Sequence, residues 1–579
     1  VEEQGCSSTV VSTAPPVAIA AADRTPRRRA TWGVAAASAC AGLLIAASVP
    51  PMGFWPLGIV GLAVLVGLLR DRPLRTRALI GFLGGLGLYA VTISWFAEFN
   101  AIGAVASMAV EAAFLAAAGA ATPPGRGRRA GFVGAVVLQD WLRTYIPFGG
   151  VPLGGVPLGQ AAGPLVPAAR IGGQLALTGV AATAAVALEL VAAAAARRAR
   201  LTAGGTARGP GRRAAREDGR EEDRRAAGEV GDEQDRRAAG EVGDEQDRRA
   251  AGELGDEPDR PAPRGAAAGS WARGLAAACA VVVALPLAGA LVPAGRTVGT
   301  MRVALVQGGG PRGLRAVETS SQRVFDAQVA ATARVRGPVD LIVWPEDVIA
   351  LPGPLAGSPQ EAQVGAIARA QGTPLLAGVT EDVGSDKFRN AMVEWSPAGV
   401  VTGRYDKVHR VPFGEYVPLR SLVARIVSLD AIPRDAIPGH GSGALATPAG
   451  RVAITISYEV FFPDRARSAV RDGGQVLLVP TNTASYTTTQ VSAAEVAAMR
   501  VRAWSTGRDV AMVAPTGWSA VVDSRGRVRQ RSPLQAPAVL EATLARRTGE
   551  TPWVRWGDLP VLVASALLVG SGWALARRN

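Results

Sequence analysis

Six long apolar segments fill the first third of the chain, at about 31–49, 53–69, 78–97, 101–121, 130–147 and 170–196. Most approach the roughly 20 residues a helix needs to cross a bilayer core. Their connections alternate in charge. Arg70, Arg72, Arg75 and Arg77 lie between the second and third segments, and Arg126, Arg128 and Arg129 between the fourth and fifth. Arg197, Arg198 and Arg200 follow the sixth. The intervening connections carry little basic charge: Val49-Pro50-Pro51-Met52, the Trp95-to-Asn100 turn and the Pro/Gly-rich 147–168. This is the positive-inside pattern. It predicts a membrane domain of six spans over 30–196, with the N-terminus and the loop after span six in the cytoplasm. A soluble helical core has no reason to alternate so strictly.

The pattern breaks over 197–270. A unit of twelve residues running from Asp223 to Gln234 recurs from Asp235 and, slightly altered, from Asp247. It is nearly sign-balanced and poor in apolar residues, so it lacks the surface to bury a core. A charged, disordered cytoplasmic linker is expected, with a partner-binding array as the alternative. The polar residues 1–29, closing in Arg27-Arg28-Arg29, read as a disordered cytoplasmic tail. A cleaved signal peptide is rejected, because the step from charge to apolar residues comes late and further spans follow. Residues 271–293 read as a seventh span. Residues 559–576, closed by Arg577-Arg578, read as an eighth. By parity the intervening 300–548 lies outside the cell membrane, tethered at both ends.

Within 300–548 the rhythm changes. Short β-branched or apolar runs at 302–307, 341–344, 375–379, 392–395, 452–456, 476–479, 510–514 and 520–523 alternate with helical stretches at about 317–335, 360–371, 463–472 and 491–506. That alternation predicts an α/β domain with largely buried strands. Periodicity alone does not choose among α/β architectures.

Composition sharpens this picture. At 579 residues the chain exceeds one ordinary domain. The net charge of +14 could point to nucleic acid, but the arginines sit in short clusters between apolar segments, with no basic patch and no interleaved aromatics. The charge is topological, and no nucleic-acid partner is expected. The cysteines are Cys6, Cys40 and Cys279, and the histidines His409 and His440. These support neither a disulfide framework nor a zinc or His-cluster site, so no metal or organic cofactor is expected. Only two of the 62 basic residues are lysine, Lys387 and Lys407. A lysine kept in so arginine-rich a background is a candidate for chemistry a guanidinium cannot do. Lys387, in a Gly-Ser-Asp loop, reads as incidental; Lys407 does not.

Three strand-like ends carry the candidate chemistry: Val343-Trp344-Pro345-Glu346, Tyr405-Asp406-Lys407 and Ile456-Ser457-Tyr458-Glu459. Together they offer a nucleophile, a base and a positive charge for a developing oxyanion, which is what acyl transfer requires. Val411-Pro412-Phe413-Gly414-Glu415 and Pro480-Thr481-Asn482 complete the order. The series resembles the carbon–nitrogen hydrolase (nitrilase) superfamily. Spans on both sides of such a domain, with Pro147-Phe148-Gly149-Gly150 after Asp140-Trp141-Leu142-Arg143, look like its membrane-bound apolipoprotein N-acyltransferase family.

The resemblance implies a multi-span α-helical membrane domain (about eight spans) plus an extracytoplasmic α-β-β-α sandwich. It places Glu346 at the family's general base and Lys407 at the oxyanion-stabilising lysine. Glu415 falls at a second acid near the lysine, and Tyr458 and Glu459 at residues that support the site. Glu459 also reads as a possible partner of a neighbouring arginine such as Arg465. Thr481-Asn482 reads as a strand-end turn that shapes the pocket. Implied partners are a phospholipid acyl donor, a diacylated lipoprotein acceptor and membrane lipids, in the cell membrane. The implied reaction carries an acyl chain to the N-terminal amine of S-diacylglyceryl-cysteine. The chain departs from the family at the nucleophile, where Ser457 replaces cysteine, at Gly309, where Gln-Gly-Asn is usual, and at Ser505, where an acid is usual. Ser457 leaves three readings open: an altered nucleophile, a non-catalytic paralogue acting as a scaffold, or a serine placed to trap substrate. A membrane-anchored amidase is a further alternative.

Overall fold

The structure, a computed structural model, describes residues 25–98, 101–206, 264–310, 319–425, 428–430, 432–483 and 490–578. The twelve-residue repeats and most of the tail expected at 1–29 lie outside the described residues. The apolar segments form helices α1 (Thr25–Ser48), α2 (Trp55–Leu68), α3 (Leu74–Thr92), α4 (Ala101–Ala121), α5 (Arg128–Tyr145) and α6 (Ala169–Thr206). Next comes α7 (Arg264–Leu291). Helix α6 runs on to Thr206 and α7 starts at Arg264, both within the 197–270 stretch expected as a linker. Extending an existing helix through Ala- and Arg-rich sequence costs little once the helix is nucleated. Likewise α1 begins inside the expected tail, with Pro26 in its first turn, where a missing N–H does no harm.

Four apolar helices among the described residues are long enough to cross a bilayer: Ala101–Ala121, Val166–Arg200, Trp271–Leu291 and Leu559–Arg577. The 14 residues of α2 fall short of that length. The arginine-rich connections meet at one end of the bundle. Glu189 of α6 receives Arg70 at 2.7 Å, Arg128 at 2.9 Å and Arg129 at 2.7 Å. One carboxylate thus gathers the loop after α2 and the start of α5.

The α/β domain is built from two sheets. The first runs β14-β1-β2-β4-β5-β6, using β1 (Arg296–Gln307), β2 (Leu341–Val343), β4 (Leu375–Val383), β5 (Lys387–Trp395), β6 (Val401–Asp406) and β14 (Ala538–Thr548). Short strands β3 (Ile349–Leu351) and β7 (Asp435–Ala436) pair with β4 and β5. The second sheet, β13-β12-β11-β10-β9-β8, uses β8 (Ala444–Thr447), β9 (Gly450–Ile454), β10 (Leu477–Pro480), β11 (Val510–Val513), β12 (Ala520–Val522) and β13 (Val528–Arg531). Helices α8 (Ser321–Thr332) and α9 (Pro359–Gln371) cover the first sheet, while α10 (Pro463–Arg471) and α11 (Gln490–Thr506) cover the second. Helix α12 (Leu559–Arg577) then returns to pack on α5.

Strand alternation divides the buried side chains into layers. Met301, Val303 and Leu305 of β1 meet Val452, Ile454 and Leu478 between the sheets. Ala304 and Val306 turn the other way, toward Phe325 of α8 and Val364 of α9. On the second sheet Leu477 and Val479 face α10 and α11, and this layer runs on into the helical bundle. The architecture is the α-β-β-α sandwich that the resemblance implied, with one helical layer seated on the bundle.

Polar contacts fix that seat. Arg170 of α6 donates to the carbonyls of Trp504 at 3.1 Å and Ser524 at 2.6 Å. Arg502 of α11 donates to Gln174 Oε1 at 2.7 Å. Arg143 of α5, ion-paired to Glu111 at 2.7 Å, also donates to the Val151 carbonyl at 2.9 Å, holding the loop that follows α5 against the bundle.

Candidate active site

Glu346 follows β2, Lys407 follows β6, Ser457 follows β9 and Thr481 follows β10. β1–β2 and β9–β10 are parallel pairs, so chemistry-bearing residues gather at strand ends, as in other α/β folds. The backbone of Pro345-Glu346 lies directly on β4. A Cβ on Gly378 would stand 2.3 Å from the Pro345 carbonyl oxygen and 2.5 Å from the Glu346 Cα, so only glycine permits this approach.

Lys407 is 3% exposed, and its Nζ lies 2.8 Å from Glu346 Oε1 and 2.7 Å from Glu415 Oε1. Asn390 of β5 donates to the same two oxygens, at 2.8 Å and 3.1 Å. Burial works against the Lys407 ammonium, but the two carboxylates outweigh it and hold its pKa above the ordinary lysine value. Burial pushes the Glu346 carboxyl upward; Lys407 opposes this and Glu415 adds to it. The cluster therefore pairs a permanently charged cation with an acid poised to hold a proton.

Ser457 begins a single 3-10 turn, Ser457–Phe461, directly after the buried Ile456. Its φ is +49°, in the left-handed region that a side chain seldom occupies. Backbone strain of this kind persists only where the surroundings enforce it. Glu459 supplies much of the enforcement. Its carboxylate accepts from the Ile456 amide at 2.8 Å, the Val408 amide at 2.8 Å and the His409 amide at 3.1 Å. The Tyr405 hydroxyl lies 2.9 Å from it, while Arg465 Nε stands at 3.8 Å. Glu459 thus braces the turn carrying Ser457 against the segment carrying Lys407, and its arginine contact is secondary. Tyr458 is buried and donates through its hydroxyl to the Gly150 carbonyl at 2.9 Å.

Ser457 is half-buried, and its hydroxyl lies 3.2 Å from its hydrogen-bond partner Thr481 Oγ1. Thr481 Oγ1 in turn lies 2.6 Å from Glu495 Oε1 on α11. Asn482 donates to Asp347 at 3.1 Å, tying the end of β10 to the Glu346 loop. Sequence reasoning did not single out Asn390 and Glu495, and read Thr481 only as part of a pocket-shaping turn. The available signals were an asparagine opening the apolar run of β5 and a lone acid in the Ala/Val-rich α11.

The two remaining departures are structural. Gly309 has φ +73°, and a Cβ there would lie 2.4 Å from the Pro537 nitrogen, so its loop excludes a side chain. Ser505 is fully buried and donates to the Arg502 carbonyl at 3.2 Å. Among the described residues no group of three or more His, Cys, Asp or Glu side chains is arranged to hold a metal ion.

Two family models match the chain. The apolipoprotein N-acyltransferase N-terminal domain covers residues 41–187, and carbon-nitrogen hydrolase covers 302–552. An apolipoprotein N-acyltransferase of Geobacter metallireducens is 32% identical over 265 residues, spanning 45% of this chain and 50% of the relative. One of Mycolicibacterium smegmatis is 31% identical over 285 residues, spanning 46% and 47%. The chain thus spans about half the length of the curated relatives it matches. The crystal structure of an amidase from Nesterenkonia sp. overlaps 47% of this chain and 97% of its own, with 21% identity and a TM-score of 0.33.

Proposed function

Because this chain belongs to the apolipoprotein N-acyltransferase family of carbon–nitrogen hydrolases, we propose that it moves an acyl chain from a membrane phospholipid to the α-amino group of a diacylglyceryl-cysteine lipoprotein. The observation that carries this reading is Lys407, buried between Glu346 and Glu415 at 2.8 and 2.7 Å, in the same α/β domain as the strained Ser457. In the first half-reaction the Ser457 hydroxyl gives its proton to a buried carboxylate of the site, and Ser457 Oγ bonds to the ester carbonyl of the donor. The electron pair moves onto the carbonyl oxygen, facing Lys407. The ester C–O bond then breaks, and the lysophospholipid leaves with a proton from Glu346. In the second half-reaction the acceptor amine attacks the acyl ester on Ser457 and gives its proton to Glu346. The amide forms as the C–O bond to Ser457 breaks, and the carboxylate that took the Ser457 proton returns it to Oγ.

Each residue type suits its task. An ammonium already charged and fixed stabilises an oxyanion without reorganising. A carboxyl with a raised pKa can give a proton near neutrality and take it back. Glu415 and Asn390 keep Lys407 and Glu346 aligned, Glu459 fixes the Ser457 turn, and Tyr458 ties that turn to the helical bundle.

In this reading α1–α7 and α12 are eight membrane spans, and 300–548 is the acyl-transfer domain on the extracytoplasmic face of the cell membrane. The meeting of Arg70, Arg128 and Arg129 on Glu189 supports a single cytoplasmic end for the bundle. Such a seat lets acyl tails enter from the bilayer while head groups stay in water.

Mass spectrometry of lipoprotein N-terminal peptides tests the reading, in cells where this chain is the sole enzyme of its kind. A third, amide-linked acyl chain is expected. Diacyl peptides alone, from cells that make the full-length protein, count against it.

A further inference from the structure

A serine hydroxyl is far harder to deprotonate than a thiol, and Ser457 makes its hydrogen bond to Thr481. We propose that Glu495, acting through the Thr481 hydroxyl, is the proton acceptor that readies Ser457 for attack. The inference rests on Ser457 being the acyl-carrying residue.

Proton counting sets the direction of the chain. Thr481 has one hydroxyl proton and lies 2.6 Å from Glu495 Oε1 and 3.2 Å from Ser457 Oγ. Facing an ionised carboxylate, the hydroxyl donates to it, because charge-assisted bonds are the stronger ones. Its oxygen is then left to accept from Ser457. The three groups form a directed wire from nucleophile to carboxylate.

Among the described residues nothing in the packing of α11 calls for an acid at this position. Glu495 is 1% exposed, and its Oε2 has no hydrogen-bond partner among the described residues. Among the described residues its side chain makes one hydrogen bond, with Thr481. Its neighbours one turn away on the same face, Val491, Ala498 and Met499, are buried and apolar. A buried carboxyl with one oxygen unpartnered among the described residues is costly, so its presence beside the hydroxyl that meets Ser457 is informative. The charged groups that bear on it are Glu346 and Lys407. Burial raises the Glu495 pKa most, the Thr481 hydrogen bond lowers it, Glu346 adds to the rise and Lys407 opposes it, and the result is about 8. A base with that pKa is matched to work near neutrality.

The step balances. The Ser457 proton passes to Thr481 Oγ1 as the Thr481 proton passes to Glu495 Oε1. Ser457 Oγ forms its bond to the donor carbonyl, whose π electrons move to oxygen. When the amine later displaces Ser457, the proton on Glu495 returns along the same path to Ser457 Oγ. Glu346 meanwhile serves the leaving oxygen and the incoming amine. Two carboxyls in differing surroundings thus take the two proton tasks. Glu495 is a positioning residue in this scheme, since it acts through Thr481 and never meets substrate.

The test is the rate at which an alkyl fluorophosphonate labels Ser457 in the full-length protein in detergent, followed from pH 5 to 10. The Ser457–phosphorus bond forms as fluoride leaves, and Ser457→Ala assigns the label. In the unchanged chain the rate should climb with pH and level off above about 8. Glu495→Gln and Thr481→Val should lose that climb and label about 100-fold more slowly on the plateau. Thr481→Ser, which restores the hydroxyl, should keep both rate and profile within several-fold. If Glu495→Gln fails to fold, the Thr481→Val and Thr481→Ser pair carries the comparison. Equal rates and profiles in the unchanged chain and Glu495→Gln overturn the relay, as does an unlabelled Ser457 in the unchanged chain. Labelling as expected without a third acyl chain on lipoproteins upholds the relay and overturns the acyltransferase reading instead.

Discussion

The hydroxyl of Tyr458 donates to the carbonyl of Gly150 across 2.9 Å, from the turn that carries Ser457 to the loop that follows α5. Tyr416 makes a second such contact, to the Phe148 carbonyl at 2.7 Å. Tyr458→Phe keeps the ring and removes the bond, at a cost of about 1 kcal/mol. Acyl transfer from phospholipid should fall several-fold, while fluorophosphonate labelling of Ser457 in detergent hardly changes. Comparing the two rates on one preparation checks this.

Lys407→Met should abolish acyl transfer, a loss of about 100-fold or more, because no positive charge then meets the oxyanion. It also leaves Glu346 and Glu415 buried without their cation, which costs roughly 3–5 kcal/mol of stability. Lys407→Arg should not rescue transfer, since a planar guanidinium cannot replace a compact ammonium held between two carboxylates. Thermal unfolding in detergent, run beside the acyl-transfer assay, separates the two losses.

Ser457→Cys should raise acyl transfer about tenfold or more. A thiol ionises at a pKa of about 8.5 and is intrinsically more nucleophilic. In the Ser457→Cys background, Glu495→Gln should cost much less than it does with serine. A double-mutant cycle on the transfer rate measures that coupling.

Glu495 also makes a prediction about stability. Its folded pKa of about 8 stands above the ordinary glutamate value of 4.5. Its contribution is therefore fully present below pH 4.5 and is lost as pH rises through 8. Glu495→Gln cannot ionise, so it should unfold at a higher temperature than the unchanged chain at pH 9. The gap, on the order of a few kcal/mol, should close toward pH 4.5. Unfolding temperatures across this range check the sign.

The proposed orientation is open to labelling. With Cys6, Cys40 and Cys279 replaced by serine, Ser385→Cys on the β4–β5 turn should react with an impermeant maleimide on intact cells. Arg75→Cys, at the arginine-rich end of the bundle, should react only after the membrane is opened. The reverse pattern would place the α/β domain in the cytoplasm.

Most helices and buried strands were legible because their side chains repeat with the period of the element and face one environment. Strand β14 was not. Its residues Glu541, Arg546 and Arg547 break the apolar run, and only the long ladder with β1 makes it a strand. The site divides in the same way. Glu346, Lys407, Glu415 and Ser457 stand in local motifs. Thr481 and Glu495 acquire meaning only when β10 and α11 bring them within 2.6 Å, and no spacing along the chain announces that. The early α1 start and the extended α6 and α7 reflect helix propagation, a cooperative effect that composition boundaries do not mark.

The ladder between β1 and β14 has one more consequence. Its first pair, Arg296 with Thr548, lies just after α7 and shortly before α12. The α/β domain therefore enters and leaves the bundle through neighbouring strands. A domain with adjacent ends is a cassette: it can be inserted between two helices, or lifted out of them, without opening either sheet. The contacts of Arg170, Tyr416 and Tyr458 then act as latches that seat the cassette on the bundle without being part of its own fold.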